Sequence, residues 1–261
     1  MDKYEVVVIG GGPAGYVAAI RSAQLGASVA LLEKHYIGGT CLNRGCIPTK
    51  TLLESAEILC KLKRAETFGI CFQGEIKADI DSMRKRKNLV VKQLRDGLIG
   101  LIEHSGITII NAAGVIAGPN KIACYSGEGT KNIEGQKIII ATGSSEKQLS
   151  IPGGEYALTS TKALDIETIP ESIAIIGAGT VGVEFATMYN RLGSKVYLLE
   201  FLPSVLASDD REMSSLLSES MLKQGIEIIT SSQVKTIQKD NGTFKVKYFK
   251  GNSEFELEVQ L

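Results

Sequence analysis

The chain has 261 residues, 29 Lys and Arg against 29 Asp and Glu, 44% hydrophobic residues and no Trp. A net charge of zero removes the electrostatic case for a nucleic-acid partner, and no apolar run reaches the length of a membrane helix. Five irregularly spaced cysteines do not make a secreted disulfide framework, and Met1 to Glu5 runs straight into a strand without a visible leader, so the expected location is the cytoplasm.

Glu5-Val6-Val7-Val8-Ile9 is the continuous apolar run of a strand buried on both faces. It enters Gly10-Gly11-Gly12-Pro13-Ala14-Gly15, then a helical pattern that stops at Gly26. A second strand, Ser28 to Leu32, ends at Glu33, eighteen residues after Gly15. Glycines at Gly10, Gly12 and Gly15 permit a tight turn and close backbone approach to a pyrophosphate at the helix N-terminus. Glu33 can accept hydrogen bonds from a ribose diol. This predicts a dinucleotide site; the alternative is an ordinary βαβ unit with a glycine-rich turn.

Next comes Gly38-Gly39-Thr40-Cys41-Leu42-Asn43-Arg44-Gly45-Cys46-Ile47-Pro48-Thr49-Lys50, followed by a helical run to about Arg64. Positions i and i+5 of a regular helix are more than about 7 Å apart, too far for an unstrained disulfide. A Cys41–Cys46 bridge therefore needs Cys41 on an irregular lead-in and Cys46 near the first helical turn, facing the positive end of the helix dipole. By spacing alone, two unrelated buried cysteines remain the alternative. A tetrahedral metal site is disfavoured because no second cysteine pair or nearby histidine follows, so no metal is expected.

Asp79 to His104 reads as a long helix whose Arg84-Lys85-Arg86-Lys87 run is a solvated face. Short strands are expected at 108–111 and 121–125, around Gly114 and Gly118, and a buried strand at 137–144. Cys60, Cys71 and Cys124 have no partner at motif spacing and read as packing residues. The pattern changes near Ile151-Pro152-Gly153-Gly154, which gives domains 1–150 and 151–261.

The opening unit then recurs. Gly177, Gly182, Gly193 and Glu200 each stand 167 positions after Gly10, Gly15, Gly26 and Glu33. The turn is Gly177-Ala178-Gly179-Thr180-Val181-Gly182, between strands at 172–176 and 195–199. A repeat this regular predicts an α/β chain with two doubly wound, Rossmann-like dinucleotide-binding domains. Glu200 suits the ribose diol of NAD and repels the extra phosphate of NADP. After a helix at 209–223, strands at 226–229, 234–237 and 244–248 lead to a final strand in mid-meander at Glu254 to Leu261.

The stretch Gly39 to Lys50 resembles the redox-active site of the class I pyridine-nucleotide disulfide oxidoreductases, in its dihydrolipoamide dehydrogenase form. The Gly177 to Glu200 unit, with Glu184 after the glycines, is similar to that family's NAD domain. The resemblance implies FAD binding by Gly10, Gly12, Pro13, Ala14, Gly15, Glu33, Lys34, Gly39, Thr40, Lys50, Gly114, Thr142, Gly143 and Ser144. It implies NAD binding by Gly177, Gly179, Val181, Gly182, Glu200 and Val234. Cys41 would be the thiol that exchanges with the substrate disulfide, and Cys46 the one that faces the flavin. Lys50 would sit beside the flavin with Glu184 as the counter-ion its burial requires.

The implied reaction is oxidation of dihydrolipoyl groups on a carrier domain or protein, with electrons passing through Cys41/Cys46 and FAD to NAD. The implied host is a 2-oxo acid dehydrogenase or glycine cleavage complex. Members of the family are nearly twice as long, and homodimeric through a C-terminal domain that brings a His-Glu pair to the partner's disulfide. Here His35 and His104 read as surface residues. The expectation is therefore an N-terminal portion with little turnover alone. The alternatives are a non-catalytic FAD-binding or partner module, and a related disulfide or mercuric reductase.

Overall fold

The computed structural model describes residues 1–71 and 73–261. The chain divides into two compact units, Met1–Pro48 with Lys87–Ser145, and Thr49–Arg86 with Glu146–Leu261.

In the first unit, β1 (Asp2–Ile9), α1 (Pro13–Gln24) and β2 (Val29–Glu33) form the opening βαβ segment. A short helix, α2 (Gly39–Arg44), and the start of α3 (Cys46–Lys63) follow. The chain returns through α4 (Ile80–His104), then β3 (Thr108–Asn111), β4 (Ala113–Gly118), β5 (Lys121–Ser126) and β6 (Gly129–Ile140). One six-stranded sheet results, in the order β3-β2-β1-β6-β5-β4. β1, β2, β3 and β6 pair in parallel, while β4, β5 and β6 are an antiparallel meander.

Successive side chains of a strand point to opposite faces, and β1 uses both. Val6 and Val8 join a core with Ala19 of α1 and Ile102 of α4, while Val7 and Ile9 join another with Ile122, Cys124 and Ile133. Two cores explain why the run lacks alternation.

In the second unit, α5 (Ser160–Ala163) precedes β7 (Ser172–Ile176), α6 (Thr180–Leu192), β8 (Lys195–Leu199), α7 (Arg211–Lys223) and β9 (Glu227–Ile229). These strands make a three-stranded parallel sheet, β7-β8-β9. An antiparallel meander follows, of β10 (Ser232–Asp240), β11 (Thr243–Lys250) and β12 (Ser253–Val259). Beyond β12, Leu261 and Ala174 share a backbone hydrogen bond, as do Leu261 and Ser172.

Five expectations change. The units do not follow a single cut at 150/151, because Leu52, Ala56 and Leu59 of α3 pack into a core with Tyr189, Met188 and Leu198. The segment 113–118, between the two expected strands, is itself a strand: Gly114 lies against Leu32 and Ile9, where a Cβ would come within 2.7 Å of Leu32 Cδ2. β6 ends at Ile140, which leaves Thr142, Gly143 and Ser144 on exposed irregular chain. The basic run is not one solvated face, since Lys87 is 3% exposed and shares the buried side of α4 with Val91, four positions on. Of the three cysteines read as packing residues, Cys124 is buried and Cys60 half-buried, but Cys71 is exposed.

Candidate functional site

The first glycine turn is shaped by space and conformation. Gly10 has φ +111°, a left-handed value that favours glycine. A Cβ on Gly15 would overlap the Gly10 carbonyl oxygen, so this position also demands glycine. Gly12 is the N-cap of α1 with Pro13 in the first turn, and no side chain caps the helix. Its first-turn N–H groups lack helical acceptors and point at whatever lies before the helix.

Glu33 closes the turn from the end of β2. Its Oε2 accepts from the Gly11 N–H (2.8 Å) and its Oε1 from the His35 N–H (2.8 Å). A carboxylate offers about four lone-pair positions, so acceptor capacity remains for a diol.

The cysteine-bearing segment packs onto this same turn. The Gly38 N–H donates to the Gly11 carbonyl (2.8 Å). Gly39, at φ +57°, lies so close that a Cβ there would be 2.6 Å from Gly12 Cα. The glycines before Cys41 and those of the turn thus form one cradle of bare backbone. Thr40, Pro13, Ala14 and Lys34 stand exposed around it, and Gly114 is half-buried on β4. This cradle fits a pyrophosphate group, which needs backbone N–H donors and no side chains in the way.

Cys41 is the third residue of α2 and Cys46 the first of α3. The expected irregular lead-in is itself helical, and the break falls at Gly45 (φ −136°, ψ −110°). A Cβ on Gly45 would be 3.0 Å from the Thr40 carbonyl oxygen, a tight approach at the sharp joint between the helices. Cys41 is half-buried and Cys46 exposed.

The second unit repeats the turn to the level of single hydrogen bonds. Glu200 Oε2 accepts from the Ala178 N–H (2.6 Å) and Oε1 from the Leu202 N–H (2.8 Å). Gly177 has φ +104°, Gly179 is the uncapped N-cap of α6, and a Cβ on Gly182 would overlap the Gly177 carbonyl oxygen. Val181 is exposed on α6. Val234 is buried in a core with Leu199, Ile237 and Val246.

Lys50 Nζ donates to Glu184 Oε1 at 3.0 Å. The two side chains are 62% and 33% exposed. Exposed pairs contribute about 0–1 kcal/mol, so the bridge holds orientation more than stability. Both histidines are exposed. Among the described residues no helix is long and apolar enough to cross a membrane, and no three His, Cys, Asp or Glu side chains gather as a metal site.

A family model described as pyridine nucleotide-disulphide oxidoreductase matches residues 4–261. A dihydrolipoyl dehydrogenase of Acholeplasma laidlawii is 40% identical over 250 residues, 94% of this chain and 73% of that protein. Another, of Chlamydia pneumoniae, is 38% identical over 256 residues, 98% of this chain and 55% of that protein. The solved Cu(II) complex of the HOCl-induced flavoprotein disulfide reductase RclA from Escherichia coli matches with TM-score 0.82 and 31% identity, over 100% of this chain and 55% of that one. Apart from the first, these relatives are spanned over about half their length.

Proposed function

Since the chain belongs to the pyridine nucleotide-disulphide oxidoreductase family, we propose that it carries the FAD, NAD and dithiol sites of a dihydrolipoyl dehydrogenase. The observation that supports this most is the packing of Gly38 and Gly39 on Gly11 and Gly12, which sets a dinucleotide cradle against the segment bearing Cys41. A redox pair and a dinucleotide-binding turn gain from adjacency only if electrons pass between them.

In this reading Gly10, Gly12, Gly15, Gly39 and Thr40 hold the pyrophosphate of FAD, with Glu33 toward its ribose. Gly177, Gly179, Gly182 and Glu200 do the same for NAD. Cys41 exchanges with a dihydrolipoyl dithiol. The substrate loses two electrons and two protons and becomes a disulfide, and Cys41 and Cys46 become thiols. FAD held by the Gly10–Gly15 turn would supply the acceptor for that electron pair, and NAD held by the Gly177–Gly182 turn would supply its final acceptor. Lys50, oriented by Glu184, supplies a fixed positive charge that favours reduced flavin. The substrate arrives on a carrier domain of a 2-oxo acid dehydrogenase or glycine cleavage complex, in the cytoplasm, with the enzyme as a homodimer.

The exposure of both histidines favours a second reading for the chain by itself, in which it binds flavin and is reduced but turns over slowly. General acid–base help is worth about 10²–10⁴-fold; His35 meets the described site through its backbone N–H, which donates to Glu33, and His104 ends α4. One experiment tests both. The purified protein is titrated anaerobically with dihydrolipoamide while flavin absorbance is followed. Flavin bleaching that is lost in Cys46→Ser and kept in Cys60→Ser supports the dithiol role. Equal bleaching in both variants, or protein that cannot be loaded with FAD, overturns it. Fast bleaching with slow NAD reduction selects the second reading.

A further inference from the structure

Asn43 stands between the two cysteines, and the dinucleotide reading gives it no task. Its Nδ2 donates to the carbonyls of Ile37 (3.0 Å) and Gly39 (2.9 Å). Its Oδ1 accepts from Arg95 Nη1 on α4 (3.2 Å). The Arg95 guanidinium lies over the Tyr36 ring, 4.8 Å from its centroid. The amide orientation follows from the partners: two carbonyls require a donor, and a guanidinium requires an acceptor.

These contacts tie together three pieces of the first unit: the approach at Tyr36 to Gly38, the helix α2, and α4. On its own α2 is poorly supported. It has six residues and begins from left-handed Gly38 (φ +97°), with no side-chain cap. A helix of that length does not persist on local hydrogen bonds. Asn43 bonds back across its first turn, and Arg95 fixes Asn43 from outside.

We propose that Asn43, anchored by Arg95 and Tyr36, is a positioning residue for Cys41: it holds α2 in the pose from which Cys41 bonds to Cys46, and so sets the stability of that disulfide. This rests on the reading of Cys41 and Cys46 as a redox couple. The disulfide is favoured when one thiol has a high effective concentration at the other. Loosening α2 lowers that concentration and leaves the dithiol form almost unchanged. Variants of the anchor therefore shift the couple toward dithiol.

The test equilibrates the protein with oxidised and reduced dithiothreitol, then quenches by alkylation. The two thiols become a disulfide as oxidised dithiothreitol gains their two electrons and two protons. Arg44 lies between the cysteines, so trypsin yields two alkylated peptides from the dithiol and one joined pair from the disulfide. Asn43→Ala should lower the equilibrium constant for disulfide formation about tenfold, which is about 30 mV for this two-electron couple. Arg95→Ala and Arg95→Lys should shift it in the same direction by roughly threefold. The double variant Asn43→Ala/Arg95→Ala should shift it no further than Asn43→Ala, because the residues act as one unit. Lys92→Ala, on the exposed side of α4, is the control for helix integrity and should leave the constant unchanged.

A wild-type constant in Asn43→Ala, or an equal shift in Lys92→Ala, overturns the inference while the redox couple stands. If Asn43→Ala does not fold, Arg95→Lys decides alone: a roughly threefold shift supports the anchor and a wild-type value refutes it. If the wild-type protein forms no Cys41–Cys46 bridge at any ratio, the redox reading and the inference fall together.

Discussion

Tyr189 shows how one side chain can carry both packing and a pH dependence. Its ring is 1% exposed and its hydroxyl donates to the Ala163 carbonyl at 2.8 Å. Burial pushes its phenol far above the ordinary tyrosine range. The native phenol holds its proton more tightly than the unfolded one. Stability is therefore complete below about pH 10 and declines as pH rises toward the native value, by up to about 1.4 kcal/mol per pH unit. Denaturant titrations between pH 8 and 11 should show that decline, and Tyr189→Phe should make it shallower while costing about 0.5–1.5 kcal/mol at neutral pH. An unchanged slope in the variant would refute this. The sequence did not mark Tyr189 or Arg95, and it placed Lys87 on a solvated face. Arg95 meets Asn43 across 52 positions, and a separation of that size leaves no local pattern to read.

Among elements, glycines divide by what surrounds them. Gly15 in α1 has the Gly10 carbonyl oxygen where a Cβ would sit, whereas Gly97 in α4 has open space. Gly15→Ala should therefore destabilise by about 1–3 kcal/mol or more and weaken flavin retention. Gly97→Ala, in an exposed helix interior, should stabilise by about 0.5–1 kcal/mol. Thermal melts of the two variants check this, and a matching sign would contradict it. The strand–glycine turn–helix–strand–acid units were legible because every landmark lies within some two dozen residues. α2 was not legible as a helix, since its support comes from Asn43 and α4 and not from its own six residues. The assignment of α3 from Thr49 onward to the second unit was hidden for the same reason: its partners, Tyr189 and Leu198, lie far along the chain.

Across the molecule, two copies of one plan have different surroundings. β1 pairs with β6 over nearly all of its length and with β2 over Val6–Ile9. β7 pairs with β8, and on its other side Gln260 and Leu261 bond only at Ser172 and Ala174 among the described residues. A strand paired on one side opens more readily. Hydrogen exchange should accordingly be slower in β1 than in β7, on the order of tenfold or more; equal protection would argue that β7 is covered along its whole length. The 167-residue offset made the duplication readable from sequence alone. It did not disclose that the acids are bound to their turns by the same pair of bonds. That bond pattern has a consequence for changing cofactor preference. Glu33 and Glu200 are fasteners of the loops they face, each spending one bond per oxygen on backbone. An engineer who removes Glu200 to admit a phosphorylated ribose also unfastens Ala178 and Leu202. A successful redesign must first supply two new acceptors for those amides. Under the proposed function, nucleotide choice and loop shape would be coupled in one carboxylate, so single substitutions there would trade one against the other.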